Sequence, residues 1–215
     1  MSDSAHKLIP SDFDRTPSLR LSTDFLAVEA ASSDIEAIGF AVRSDGEIPA
    51  ASGIDWDDAR GNGFEGRPGQ LLVVPRTGAD VVLVGVGDAD ASVDGLRDAV
   101  AGLVRAARHR SRLAFELAGF DAIPTVDAAA AVAESAILSR YRYTALKTAP
   151  EHTALDRFEI VSSADGSGIV NGATRGIIAA RGTALARDLA NTPPGYLTAV
   201  DFAEVAQAVG ARFGL

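Results

Sequence analysis

This chain predicts an α/β fold with a mixed β-sheet flanked by helices, and three observations carry that prediction. Short apolar or β-branched runs with a strand's pattern occur at 35–42, 71–74, 81–86, 113–117 and 158–161. Between several of them lie longer segments whose apolar residues fall at helical spacing. The two patterns take turns along the chain, which calls for a sheet covered by helices rather than two separate layers.

Residues 1–17 are polar and read as a flexible lead-in with little to pack. In 35–42, Ile38, Phe40 and Val42 share one face, and Asp45-Gly46 then marks a turn. The stretch 54–69 is rich in Gly, Asp and Asn, so it reads as a short helix or loop that tucks Trp56 and Phe64 beneath the sheet. Arg76-Thr77-Gly78-Ala79 separates two β-branched runs, which predicts a hairpin. The second run is apolar on both faces, as in a central strand.

After Gly87 the period becomes helical. Ser92 is placed to cap, Asp94 suits the first turn, and Leu96, Val100, Leu103 and Ala107 form the buried stripe. Arg105, Arg108 and Arg110 suit that helix's C-terminal end. Leu113, Phe115 and Leu117 alternate as a strand, and Thr125 is read as the cap of an alanine-rich helix reaching about Tyr141. The segment 168–190 carries Ala173, Ile177, Ala180 and Ala184 on one stripe, with small residues throughout that allow close backbone approach. Finally, Thr198 caps a helix whose Phe202, Val205, Ala206, Val209 and Phe213 make an apolar stripe in need of a partner.

Composition narrows the function classes. A formal net charge of -9 with dispersed basic residues disfavours nucleic acid or an anionic membrane as partner, because phosphate binding needs a clustered positive field. There are no cysteines, which excludes disulfides, thiolate nucleophiles and Cys-based zinc sites. The N-terminus lacks a basic start and an apolar run, so no export signal is read, and 71–86 is broken by Pro75, Arg76 and Asp80. A soluble protein is expected.

Three segments, in order, carry a family resemblance. Val81-Val82-Leu83-Val84-Gly85-Val86-Gly87 is a buried strand ending in glycine. Glu134 to Thr148, with Leu138, Tyr141, Tyr143, Lys147 and Thr148, resembles an E-G-x-x-L-x-x-Y-x-F-x-x-Y-K-T segment. Arg187-Asp188-Leu189-Ala190-Asn191-Thr192-Pro193-Pro194-Gly195-Tyr196-Leu197-Thr198 resembles the R-D-L-x-N-T-P-P-x-x-L-T signature of the leucine aminopeptidases, with Gly195 where Asn is commoner and Ala199 where Pro often follows. Physically this is a helix end, a rigid spacer at Pro193-Pro194 and a helix restart.

The resemblance implies the N-terminal domain of a cytosolic leucyl aminopeptidase, with a macro-domain-like fold over 18–190. Residues 191–215 would then be the linker and first helix of a catalytic domain that this chain stops short of. It further implies a cytoplasmic, hexameric parent that removes N-terminal residues, Leu preferred, from peptides by hydrolysis at two divalent ions, Mn or Zn. The family's N-T-D-A-E-G-R metal motif is not matched, since Pro193 follows Asn191-Thr192. No catalytic, cofactor-binding or metal residue is therefore assigned to this chain. Its expected role is to pack on the catalytic domain, help assembly and shape access to the active site.

The remaining candidates have simpler explanations. His6, His109 and His152 are far apart and lie in no H-E-x-x-H arrangement. Asp55, Asp57 and Asp58 suit a helix cap or solvated loop better than a cation site. The Gly87 turn opens a helix, where phosphate is favoured, but Asp88, Asp90 and Asp94 oppose it. Ser92 and Ser111 have no evident base for a hydrolytic triad. Two alternatives stay open: a stand-alone binding module for an ADP-ribose-like ligand or nucleic acid, and a naturally short, inactive homologue serving as an assembly partner.

Overall fold

The computed structural model describes residues 13–88, 91–149 and 151–214. Six strands form one sheet: β1 (Asp24–Val28), β2 (Ala37–Arg43), β3 (Leu71–Val74), β4 (Asp80–Gly87), β5 (Arg112–Glu116) and β6 (Arg157–Val161). Their order is β1-β6-β5-β2-β4-β3, all neighbours parallel except the β3–β4 hairpin. The mixed sheet matches the expectation, and β4 is internal, with Val81, Val82, Leu83 and Val84 all buried.

The edge strand β1 was not legible beforehand. Its Phe25 and Ala27 turn inward while Leu26 is exposed, and one wet face leaves too weak an alternation to stand out.

Five helices complete the chain: α1 (Trp56–Gly61), α2 (Val93–Ala106), α3 (Thr125–Arg140), α4 (Gly166–Asn191) and α5 (Ala199–Arg212). The main core lies between α2, α3 and one sheet face, where Leu96, Val100 and Leu103 meet Val82, Val84, Leu113 and Phe115. Ser92 caps α2 by accepting from the Gly95 N–H, as its spacing predicted. Thr125 does not cap α3. Pro124 holds that place, its carbonyl accepting from Asp127 and Ala128, because proline's fixed backbone already suits a helix entry.

Trp56 and Phe64 do tuck beneath the sheet, stacked with ring centroids 6.3 Å apart beside Phe40, Val42 and Leu83. The acidic run there is a helix start: the Asp55 side chain accepts from the Asp58 N–H, with Asp57 and Asp58 in the first turn of α1.

α4 sits on α3 at very short range. An added Cβ at Gly172 would stand 2.2 Å from the Val126 carbonyl oxygen, and one at Gly176 2.2 Å from that of Ala130. Only glycine lets these two helix backbones touch, so the pair fixes the course of α4 and with it the position of the segment that follows.

Candidate interdomain junction

The segments 134–148 and 187–198 are distant in sequence, yet they meet in space around Asp188. On α4 the small-residue stripe Ala173, Ala180, Ala184 continues one turn further to position 188. An aspartate on a buried stripe is the sequence signal that points to this site, and periodicity alone passes over it.

Asp188 is 0% exposed. Its two carboxylate oxygens accept from the Ser18 backbone N–H at 2.8 Å and from the Tyr141 hydroxyl at 3.0 Å. A buried carboxylate needs such donors, because desolvation without them costs several kcal/mol. Asp188 thereby ties three elements: the end of α4, the exit of α3 at Tyr141, and a 3-10 turn over Pro17–Arg20.

The helix end is closed by the same motif. The Thr192 N–H and hydroxyl both donate to the Asp188 carbonyl, at 3.0 and 2.8 Å, and the Tyr143 hydroxyl lies 3.1 Å from Thr192 Oγ1. Asn191 donates to the Arg187 carbonyl at 2.8 Å, and the Arg187 guanidinium lies over the Tyr141 ring at 5.6 Å. Pro193-Pro194 then ends the helix, and the chain turns so that Tyr196 and Leu197 donate back to the Pro193 carbonyl.

Burial first, then the bond to the Asp188 carboxylate, outweigh Asn191 and Arg187 and push the Tyr141 phenol up to about 12. A folded value above the usual ~10 of a free tyrosine means that this contribution to stability is complete below pH ~10 and is lost as pH rises toward 12. Of the 3 tyrosines, one is therefore expected to ionise about two pH units late in an ultraviolet titration. Tyr141→Phe should remove that late step; a Tyr141→Phe protein that keeps it would contradict the assignment.

Beyond the linker, Thr198 and Asp201 form a reciprocal capping box that restarts the chain as α5. The segment from Phe13 to Arg20 straps this restart to the domain. Arg15 donates to the Tyr196 carbonyl at 2.7 Å and pairs with Asp201 at 2.9 Å, Phe13 meets the Tyr196 ring edge-on at 4.7 Å, and Arg212 donates to the Leu19 carbonyl. These residues close what the sequence presents as an unstructured lead-in; its residues 1–12 lie outside the described residues.

The apolar stripe of α5 finds no core. Phe202 is 51% exposed and Phe213 55%, Ala206 is exposed, and Val205 and Val209 are only half-buried.

The other sequence candidates stay apart. His109 accepts from Arg108 at 3.0 Å, the Ser111 hydroxyl donates to Glu36, and His6 and Asp90 lie outside the described residues. Gly87 does adopt a left-handed backbone, φ 79°, but the small hollow beside it is lined by Ala41, Val86, Ala91 and Phe120 along with Arg43 and Ser92, and among the described residues it holds no buried side-chain polar atom awaiting a partner. Among the described residues no three His, Asp or Glu side chains gather to hold a metal ion. No helix among the described residues is long and apolar enough to cross a membrane.

A family model described as the cytosol aminopeptidase family, N-terminal domain, matches residues 57–150. A probable cytosol aminopeptidase of Synechococcus sp. (strain CC9902) is 32% identical over 216 residues, 92% of this chain and 42% of that protein. One from Mycobacterium sp. (strain KMS) is 35% identical over 71% of this chain and 29% of its own length. Among solved structures, a tomato leucine aminopeptidase mutant superposes with a TM-score of 0.79 at 16% identity, covering 90% of this chain and 43% of that one. The bottromycin maturation enzyme BotP, solved in complex with Mn, gives 0.68 at 30% identity over 85% of this chain and 37% of its own. The chain spans less than half the length of these proteins.

Proposed function

Because this chain carries the N-terminal domain of the cytosol aminopeptidase family, we propose that it is the non-catalytic part of a leucyl aminopeptidase. The parent would release N-terminal amino acids, Leu preferred, from peptides in the cytoplasm, by hydrolysis at two divalent ions such as Mn or Zn. The domain's work would be to hold the catalytic domain in register, shape access to its active site and help build a hexamer.

One observation supports this most directly: the exit of the chain is braced while the helix it leads to is left bare. Asp188, Tyr141 and Thr192 lock the end of α4, and Arg15 holds the start of α5. Phe202 and Phe213 nevertheless stay exposed. Burying side chains of this size is worth about 1.5–3 kcal/mol each, so a braced helix with a bare stripe suits a surface onto which further protein packs.

We assign no site for the parent's divalent ions to this chain, since among the described residues no three potential ligands gather at one point. The binding-module alternative has less in its favour, because among the described residues the Gly87 hollow holds no buried side-chain polar atom without a partner.

The test compares the 215-residue chain with a fusion in which Leu215 continues into the C-terminal part of the mycobacterial relative. Leu-p-nitroanilide turnover with Mn²⁺ is expected from the fusion alone, and Asp188→Ala in the fusion should lower kcat/KM by loosening the junction. Metal-dependent release by the chain alone, above a chelated control, would refute the reading.

A further inference from the structure

Four arginines of this acidic chain gather where α2 and α3 end. A cleft of about 320 Å³ there is walled by Arg105, Arg108, His109, Arg140, Arg142 and His152, with Glu151 its one acid among the described residues. Many other arginines pair with carboxylates, as in Arg15–Asp201, Arg110–Asp80 and Arg175–Asp127, and those that do not, such as Arg76 on the Gly53 carbonyl and Arg212 on the Leu19 carbonyl, stand singly. None of the four arginines of the cleft has such a partner among the described residues. Arg108 donates to His109, Arg142 to the Tyr141 carbonyl, and Arg140 to the Arg108 and Ala107 carbonyls.

Capping explains part of this cluster. Two helix C-termini contribute roughly half a negative charge each, and Arg140 satisfies carbonyls at the end of α2. Those two ends and Glu151 offset about two of the four guanidinium charges, so roughly two positive charges remain. Arg140 adds a second, independent sign: it is 7% exposed and its Nε is buried without a hydrogen-bond partner. An uncompensated guanidinium N–H is costly to leave buried, and it belongs to a side chain that lines this cleft.

We propose that this cleft binds a small phosphate-bearing dianion. The arginine fork matches phosphate oxygens in geometry, and the residual charge suits two negative charges better than one. His152 reports on occupancy: burial first, then the charges of Arg140 and Arg142, hold its imidazole below the ordinary histidine value. An anion between them would screen those charges and raise it.

The experiment is calorimetric titration of the 215-residue chain with inorganic phosphate and pyrophosphate at fixed ionic strength, with His152 followed by NMR. Pyrophosphate is expected to bind saturably with Kd below about 1 mM and to move the His152 titration upward. The exposed pair R105Q/R142Q should weaken binding at least roughly tenfold, with R108Q as the single-site reading should the pair fail to fold. R76Q/R175Q, an equal charge change elsewhere, should leave it unchanged. Absence of saturation, equal loss in both double variants, or an unmoved His152 would overturn the proposal. Citrate binding as tightly as pyrophosphate would overturn the phosphate assignment, and duplex DNA binding without any small-anion binding would overturn the site as drawn.

Discussion

G172A/G176A is expected to lower the stability of this domain by about 4 kcal/mol. At each position a methyl group would stand 2.2 Å from a backbone carbonyl oxygen of α3, of Val126 and of Ala130. Overpacking costs about 1–3 kcal/mol per site, and the upper end applies because helix backbone cannot swing away as a side chain can. The gain in helix propensity on replacing glycine, at most about 1 kcal/mol each, is too small to compensate. Urea unfolding measures this as a lower midpoint at unchanged slope. Gly182 lies on the same helix with nothing within 4 Å of its would-be Cβ, so G182A serves as the control and should gain up to about 1 kcal/mol. If the double variant is as stable as G182A, the close approach of α3 and α4 described here is wrong.

Glu159→Ala is the second large effect, a loss of about 3 kcal/mol. Glu159 is 0% exposed in the middle of β6, on the face turned away from α2 and α3. Its Oε2 accepts from the Ser32 N–H at 2.8 Å, and its Oε1 stands 3.3 Å from Arg157 Nε. Arg157 also bonds Asp34, which Arg112 joins at 3.6 Å, so the carboxylate belongs to a charged network along the sheet's lower edge. Truncation strips Ser32 of its acceptor and Arg157 of one partner. The lower end of the range for breaking a buried pair applies because Asp34 remains. Glu159→Gln keeps an acceptor for Ser32 and should lose less than half as much in the same unfolding assay. Equal losses for the two variants would show that burial of the chain, not this network, sets the cost.

The strands of the central sheet and the helices α2, α3 and α4 were legible because each buries one face against a continuous partner, and α5 because its apolar stripe keeps the helical period although it stays largely bare. Burial imposes a period on the residues, as in Leu96, Val100 and Leu103 of α2 or Val81 to Val84 of β4. β1 escaped because an edge strand with one exposed face needs little alternation. The cap of α3 was misassigned to Thr125 because threonine is the better side-chain cap, while Pro124 does the same work through its backbone. Asp188 and Glu159 were passed over for a common reason: each is a charged residue inside an apolar pattern, and sequence alone does not show what answers it.

The amino-acid sequence by itself determined the α/β class, the hairpin, the main helices and the linker chemistry at Thr192, Pro193 and Thr198. It also carried the likeness to the aminopeptidase N-terminal domain. These follow from local rules, in which a residue's neighbours within a few positions decide its conformation. Only the tertiary structure decided that Ser18, Tyr141 and Asp188 converge and that Arg15 straps α5. It alone showed that four arginines from two helix ends and their exits share one cleft without a carboxylate partner among the described residues. Contacts between residues as many as 193 positions apart depend on how helices stack and strands order, and that information is distributed over the whole core rather than written in any one segment.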